Sequence, residues 1–280
     1  MNFKIKRREK EMFELINKVK KINPLVLHYT NEVTINDCAN ITLALGASPL
    51  MSYSEEEVEE IVSVASSVVI NIGTMNSSRL NLFVKAGKAA NKFNKPVILD
   101  PVGVFATKTR TNFVNMLLNE IKFDVIKGNI SEIKFIGGLD VRGQGVDSFD
   151  DGEDISEVVK KVANKLGCIV VATGKVDFIS DGENVIKVVN GTPKLKSVTG
   201  TGCMTGSLIG SYLGTYNCLK EDEKNIFKKV EAVAMGVITM ALAGELADKN
   251  NIAIGSFKEK LMNNVYEMNK EKLEEYARIN

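Results

Sequence analysis

The chain holds one histidine, four cysteines, five prolines and no tryptophan in 280 residues. A lone His28 cannot build a poly-histidine metal site, and a Ser-His-Asp hydrolase would have to use it without a G-x-S-x-G elbow, which the sequence lacks. Cys38, Cys168, Cys203 and Cys218 lie far apart with no CxxC pair, so neither a disulfide framework nor the usual zinc spacing is present. An excess of one charge is missing as well. With 36 basic residues against 35 acidic the net charge is +1, which gives no global reason to expect nucleic acid or a membrane surface; a small partner is expected. The most apolar stretch, 231–245, is too short to span a bilayer and is interrupted by Thr239, so it reads as a buried helix. Residues 1–10 are basic without the apolar run of a secretory signal, which together with unpaired thiols points to a reducing, cytoplasmic setting.

What is present is ordinary for a globular chain: 44% hydrophobic, 25% charged and 22 glycines, unlike a disordered or collagen-like sequence. The length is within reach of one α/β domain spanning residues 1–280. Short β-branched runs at 24–28, 67–72, 96–99, 123–126 and 168–172 are apolar almost without alternation, as strands covered on both faces are. Helical stretches separate them, which argues for a largely parallel sheet with helices on both sides. Ser54 with Glu57 predicts a capping box, and 77–93 predicts an amphipathic helix. After Cys168 two β-rich runs, 176–180 and 184–189, flank Asp181-Gly182, a hairpin signal that adds an antiparallel edge. From Gly202 onward the period is helical, ending in a charged amphipathic tail at 257–278, and 137–152 reads as a surface excursion.

The most informative segment is 198–206 (VTGTGCMTG). Two glycines among small hydroxyl residues feed into a helix, whose unpaired N–H groups and positive dipole end suit a phosphate or a developing anion. Cys203 falls in the first turn, where that field favours the thiolate and makes it a better nucleophile or base. A glycine-rich loop ahead of a buried cysteine explains the same letters. The segment is not a Walker A loop, nor a GxGxxG turn after a first strand, which disfavours P-loop and nicotinamide sites.

The other candidates sit where predicted strands end, the edge at which open parallel sheets bind ligands. Asp100 puts a carboxylate there, although Asp-Pro also makes turns. Lys127-Gly128-Asn129 suits phosphate contact; Glu132 could hold a metal-bound water or simply complement a helix dipole. Thr173-Gly174 offers a hydroxyl and a glycine at a further strand end. Asn36 and Asn40 share a helix face that points to a polar ligand or to solvent, and His28 reads as packed rather than as a base. Cys38, Cys168 and Cys218 are treated as structural.

Taken together, residues 29–33 (YTNEV), 46–51 (GASPLM), 71–74 (NIGT), 99–103 (LDPVG), 127–132 (KGNISE), 145–148 (GVDS), 172–174 (ATG) and 198–203 (VTGTGC) resemble the hydroxyethylthiazole kinases of the ribokinase-like superfamily. The likeness runs from about residue 23 to about 244, and the co-occurrence of several motifs in order makes it specific. It implies a three-layer ribokinase-like fold, ATP and Mg²⁺, and phosphorylation of the primary alcohol of 4-methyl-5-(2-hydroxyethyl)thiazole for thiamine biosynthesis or salvage. It also implies a homotrimer with pockets between subunits.

By position the resemblance implies thiazole contacts from Met51, Gly200 and Asn31, ATP contacts from Lys127, Thr173 and Gly202, and Asp100 and Glu132 around Mg²⁺ and its waters. Cys203 stands where most ribokinase-like kinases carry an aspartate base, and Lys127 where many relatives carry arginine, keeping a cation without the bidentate fork. A kinase for another small alcohol, such as hydroxymethylpyrimidine, is the alternative, against which Cys203 argues. A non-catalytic nucleotide-binding module and an ADP-forming dehydratase are further readings.

Overall fold

The computed structural model describes residues 10–139 and 154–280; the 145–148 motif and most of the 137–152 excursion lie outside the described residues. The chain enters through α1 (Leu15–Ile22) and builds one eight-stranded sheet. Its strands are β1 (Leu25–Tyr29), β2 (Ser48–Met51), β3 (Ser67–Asn71), β4 (Val97–Asp100), β5 (Val125–Asn129), β6 (Ile169–Thr173), β7 (Asp177–Ser180) and β8 (Val185–Val188). They lie in the order β2-β1-β3-β4-β5-β6-β7-β8. The pairs from β2 through β6 are parallel and the β6–β7 and β7–β8 pairs antiparallel, so the expected hairpin edge is present.

The sheet is apolar on both faces, which is why its strands show so little alternation in sequence. Val26, Val69, Ile98, Val125 and Val171 point to one core, shared with α8 (Thr201–Cys218) and, beyond the short α9 (Glu221–Lys224), with α10 (Lys229–Ala247). Their neighbours Leu27, Val68, Ile70, Leu99, Ile126 and Val170 point to the other. That second core is closed by α3 (Val58–Val64), α4 (Leu80–Lys92), α5 (Lys108–Glu120) and α7 (Ile155–Leu166). Three layers result, with α10 buried as its composition foretold. The helix has a mean hydropathy of 1.6 and packs most extensively on α8.

β1, β4 and β6 sit one residue further along than the predicted runs, β5 begins two residues and ends three residues later, and β3 begins at Ser67 as predicted and ends one residue earlier. The leading residues Pro24, Pro96, Phe123 and Cys168 approach the sheet without joining the ladder, while pairing continues into polar Asp100, Asn129 and Thr173. β2 was not foreseen as a strand, because Ser48-Pro49-Leu50-Met51 contains a proline, tolerated only because this strand is an edge. The capping box at Ser54 does not form. Glu57 is itself the N-cap residue of α3 and its carboxylate takes the Ser52 hydroxyl at 2.5 Å, while Ser54 donates to Glu56.

The 77–93 stretch divides into a 3₁₀ turn (Ser77–Arg79) and α4, because the Asn76 side chain caps the turn through Ser78 N–H. The 257–278 tail is likewise two helices, α11 (Ile254–Tyr266) and α12 (Lys270–Tyr276), since Asn269 starts a new cap on Lys272 N–H. Ile279 then bridges Val188, so the C-terminus covers the β8 edge.

After β1 the chain crosses through α2 (Ile35–Leu45) to β2 on one side, and from β2 it returns through α3 to β3 on the other. The strand order therefore switches between β1 and β3. A crevice opens outside the carboxyl ends of the strands at such a point.

Candidate active site

The switch-point crevice is closed by two asparagines. Asn31, just past β1, donates from Nδ2 to Asn71 Oδ1 at 2.9 Å and to Cys203 Sγ at 3.3 Å. Asn71 ends β3 as the register partner of Asp100 and donates to Asp100 Oδ2 at 3.0 Å and to Cys203 Sγ at 3.3 Å. Both asparagines are buried, as is Asp100. Lys127, on β5, reaches the same Asp100 oxygen at 3.2 Å.

Cys203 is the third residue of α8, in its first turn, and is half-buried. Gly200 caps that helix with φ +93, a left-handed conformation that costs glycine nothing. A Cβ there would lie 2.7 Å from Thr34 Cγ2, so the loop can press against the segment following β1 only as glycine. Two residues on, a Cβ on Gly202 would lie 3.3 Å from Lys127 Nζ. The ammonium thus faces the N-terminal turn of α8, where free N–H groups and the helix dipole favour anions.

Glu132 is held on the opposite wall. Asn129 ends β5 and caps α6 (Ile130–Ile136) in a reciprocal capping box, its Oδ1 taking Glu132 N–H and its own N–H donating to Glu132 Oε2 at 2.8 Å. Gly103 N–H donates to the other oxygen, Oε1, at 2.8 Å. Thr173, at the end of β6, donates to Gly128 O at 3.2 Å. The ends of β1, β3, β4, β5 and β6 and the start of α8 therefore face one crevice with both signs of charge in it.

Burial works against the Lys127 ammonium, but the negative charge of Asp100, then of Cys203 and Glu132, outweighs it and holds its pKa above the ordinary lysine value. Burial and the neighbouring Asp100 push the Glu132 carboxyl above the usual range, against the pull of the Gly103 and Asn129 N–H groups. Among the described residues no cluster of three or more His, Cys, Asp or Glu forms.

A comparison with known proteins decides the lineage. The model of the hydroxyethylthiazole kinase family matches residues 16–271. The chain belongs to the hydroxyethylthiazole kinase family. It is 62% identical over 268 residues to the hydroxyethylthiazole kinase of Clostridioides difficile (strain 630), covering 96% of this chain and 98% of that protein. The hydroxyethylthiazole kinase of Alkaliphilus oremlandii (strain OhILAs) is 44% identical, with 96% and 97% covered. Among solved structures, hydroxyethylthiazole kinase protein from Pyrococcus horikoshii OT3 superimposes with a TM-score of 0.83 at 36% identity, covering 96% of this chain and 98% of that one. A Staphylococcus aureus pyridoxal kinase at 14% identity and TM-score 0.62, covering 92% of this chain and 98% of that one, shares the fold alone.

Within this member of the hydroxyethylthiazole kinase family, the crevice gathers Asn31, Asp100, Lys127, Glu132, Thr173, Gly200, Gly202 and Cys203. Met51 stands apart, at the end of the edge strand β2 opposite His28, half-exposed. Asn36 and Asn40 are exposed and bonded to each other at 2.9 Å, so they form the solvated face and not a ligand site. His28 is packed as expected: Nδ1–H meets Val26 O at 3.0 Å and Nε2 accepts from Ser207 Oγ at 3.1 Å.

Two contributors were missed in the sequence. Asn71 lay inside a recognised motif but was given no role; a strand-terminal asparagine before Ile-Gly was its only signal. Arg110, on α5, donates to Ile72 O at 3.0 Å, Val102 O at 2.8 Å and Gly73 O at 2.8 Å. It ties the turn after β3 to the turn after β4, and no local sequence pattern announces such a tie.

Proposed function

We propose that this chain transfers the γ-phosphoryl group of ATP to the primary alcohol of 4-methyl-5-(2-hydroxyethyl)thiazole, giving the thiazole phosphate used in thiamine biosynthesis or salvage. The observation that carries the reading is the convergence of Cys203, in the first turn of α8, with the buried Asp100–Lys127 pair across Asn71. An alcohol placed over Cys203 would lie between a proton acceptor and an anion site, the two requirements of phosphoryl transfer.

In this reading the alcohol oxygen bonds to the γ-phosphorus as the bond to ADP breaks, and the alcohol proton passes to Cys203 Sγ. The loose transition state keeps that proton on the alcohol until late, so a thiolate suffices where a stronger base is not needed. N–H groups from Gly200 to Cys203, Gly202 included, would hold the transferring oxygens, and Lys127 and Thr173 would hold ATP phosphates. Lys127 would act as a point charge, without the fork of an arginine.

Asp100 and Glu132 fit Mg²⁺: two hard carboxylates suit an ion that keeps waters and takes phosphate oxygens for the rest of its shell. Each Glu132 oxygen accepts one backbone N–H and retains a lone pair for a hydrated cation. When bound, Mg²⁺ would neutralise the charge on the β- and γ-phosphates.

Thiazole contacts are assigned to Met51, Asn31 and Gly200, with Met51 giving the soft apolar contact a sulfur ring takes well. Because Met51 lies half-exposed on the edge strand β2, a homotrimer whose neighbouring subunit covers it is part of the reading. So is a single domain, supported by the one sheet that strands from Leu25 to Val188 share. Four unpaired thiols support a cytoplasmic, reducing setting.

The test is Cys203→Ala, with ATP and thiazole affinity measured beside turnover. The reading expects unchanged affinities and a kcat lower by roughly 10²-fold or more. Lost binding with unchanged kcat would remove Cys203 from the chemistry.

A further inference from the structure

We infer that Asn71 is a positioning residue for Cys203, orienting and stabilising the sulfur as a proton acceptor; the inference rests on the kinase reading above. Four contacts fix its carboxamide. Gly73 N–H can only donate and lies 2.9 Å from Asn71 Oδ1, so that atom is the oxygen and the other is the NH₂. The NH₂ group then points its two protons at Asp100 Oδ2 and Cys203 Sγ.

The same logic fixes Asn31. Thr34 N–H meets Asn31 Oδ1 at 3.1 Å, which leaves the Asn31 NH₂ group for Asn71 Oδ1 and Cys203 Sγ. Sulfur therefore faces two amide donors, each at 3.3 Å. The two donors hold the sulfur in one place, with its remaining lone pair free to meet the alcohol proton. The arrangement also fixes where the sulfur stands relative to Asp100, because one carboxamide touches both.

The packing leaves little room for another arrangement. A Cβ on Gly73 would lie 3.0 Å from the Asn31 side chain, so the backbone that orients Asn71 approaches Asn31 as closely as a glycine permits. Asn71 is 2% exposed, so water does not compete for its donors. Of the two asparagines, Asn71 alone reaches Asp100 in this network, which distinguishes it from Asn31 as the link between the acidic centre and the thiol.

The experiment uses full-length protein carrying Asn71→Ala and Asn71→Ser, the second keeping a hydroxyl in case the first fails to fold. Two readouts are taken: kcat with both KM values, in wild-type and Cys203→Ala backgrounds, and the rate of iodoacetamide alkylation at Cys203, followed by peptide mass spectrometry. Loss of the bond that positions the sulfur is expected to lower kcat by about tenfold or more in Asn71→Ala, with KM for ATP and for the thiazole alcohol within about twofold. Asn71→Ser should fall in between. Alkylation should slow in parallel, and in the Cys203→Ala background the same substitution should lower residual kcat by a clearly smaller factor than in wild type, since one of its two acceptors is gone.

An unchanged alkylation rate in both variants, or an equal loss of kcat with and without Cys203, would overturn the inference. Failure of the kinase reading looks different. Wild type and variants alike would then release no ADP with the thiazole alcohol, while alkylation of Cys203 still responded to Asn71.

Discussion

Lys127 Nζ lies 3.2 Å from Asp100 Oδ2, with the two side chains 5% and 2% exposed. A charge pair this deep holds together because each partner compensates the other, so removing one is far more damaging than the pair is stabilising. Lys127→Met is expected to cost roughly 3–5 kcal/mol of stability by stranding the Asp100 carboxylate, whereas Lys127→Arg, which keeps a cation, should lose much less. Urea unfolding midpoints of the three proteins check this. A Lys127→Met protein as stable as wild type would show that Asp100 does not carry a buried charge.

His28 makes the fold sensitive to mild acid. Burial lowers its pKa from 6.5 to about 4, against the carbonyl of Val26, which favours the protonated ring. The depressed value means the unfolded chain binds the proton first, so the stability that neutral His28 contributes is complete above pH 6.5 and is lost as pH falls toward 4. Over that window wild type should lose about 3 kcal/mol more than His28→Gln, which has no proton to take up. Parallel pH dependences in urea melts would contradict the assignment.

Arg110 acts on the site without lining it. By holding Ile72 O, Gly73 O and Val102 O, it sets the turn whose Gly73 N–H orients Asn71 and the turn whose Gly103 N–H orients Glu132. Arg110→Lys replaces two donor nitrogens of a planar fork by one and cannot keep all three bonds in place, and misplacing these groups should lower kcat/KM by roughly tenfold to a hundredfold. Steady-state kinetics at several Mg²⁺ concentrations test it, with full activity at all of them as the contrary result.

Gly200 is the tightest point of the α8 entry. An alanine there must hold φ +93 and displace Thr34, so Gly200→Ala should lose at least about 1–2 kcal/mol and raise KM for the thiazole alcohol more than for ATP. A calorimetric melt and paired KM values check it; unchanged values in both would show that the loop relaxes freely.

Where the sequence reading succeeded, periodicity and chemistry coincided. The uniform apolarity of β1, β3, β4, β5 and β6 reflects cores on both faces, and the Asp181-Gly182 turn marked the antiparallel edge. The strand-end logic singled out Asp100, Lys127 and Glu132, and the glycine-rich helix entry singled out Cys203. What stayed hidden depends on partners distant in the chain. β2 is a strand because β1 offers it an edge, and Ser54 loses its cap because Ser52 and Glu57 find each other first. Asn71 and Arg110 have meaning only beside Cys203 and the two turns they join.

The most direct test of the account is ADP release from the purified chain with MgATP, offering the hydroxyethyl thiazole and hydroxymethylpyrimidine in separate reactions. The account predicts turnover with the thiazole and none with the pyrimidine. Turnover confined to the pyrimidine would contradict the substrate assignment while leaving the phosphate site in place, and silence with both alcohols would contradict the kinase reading itself.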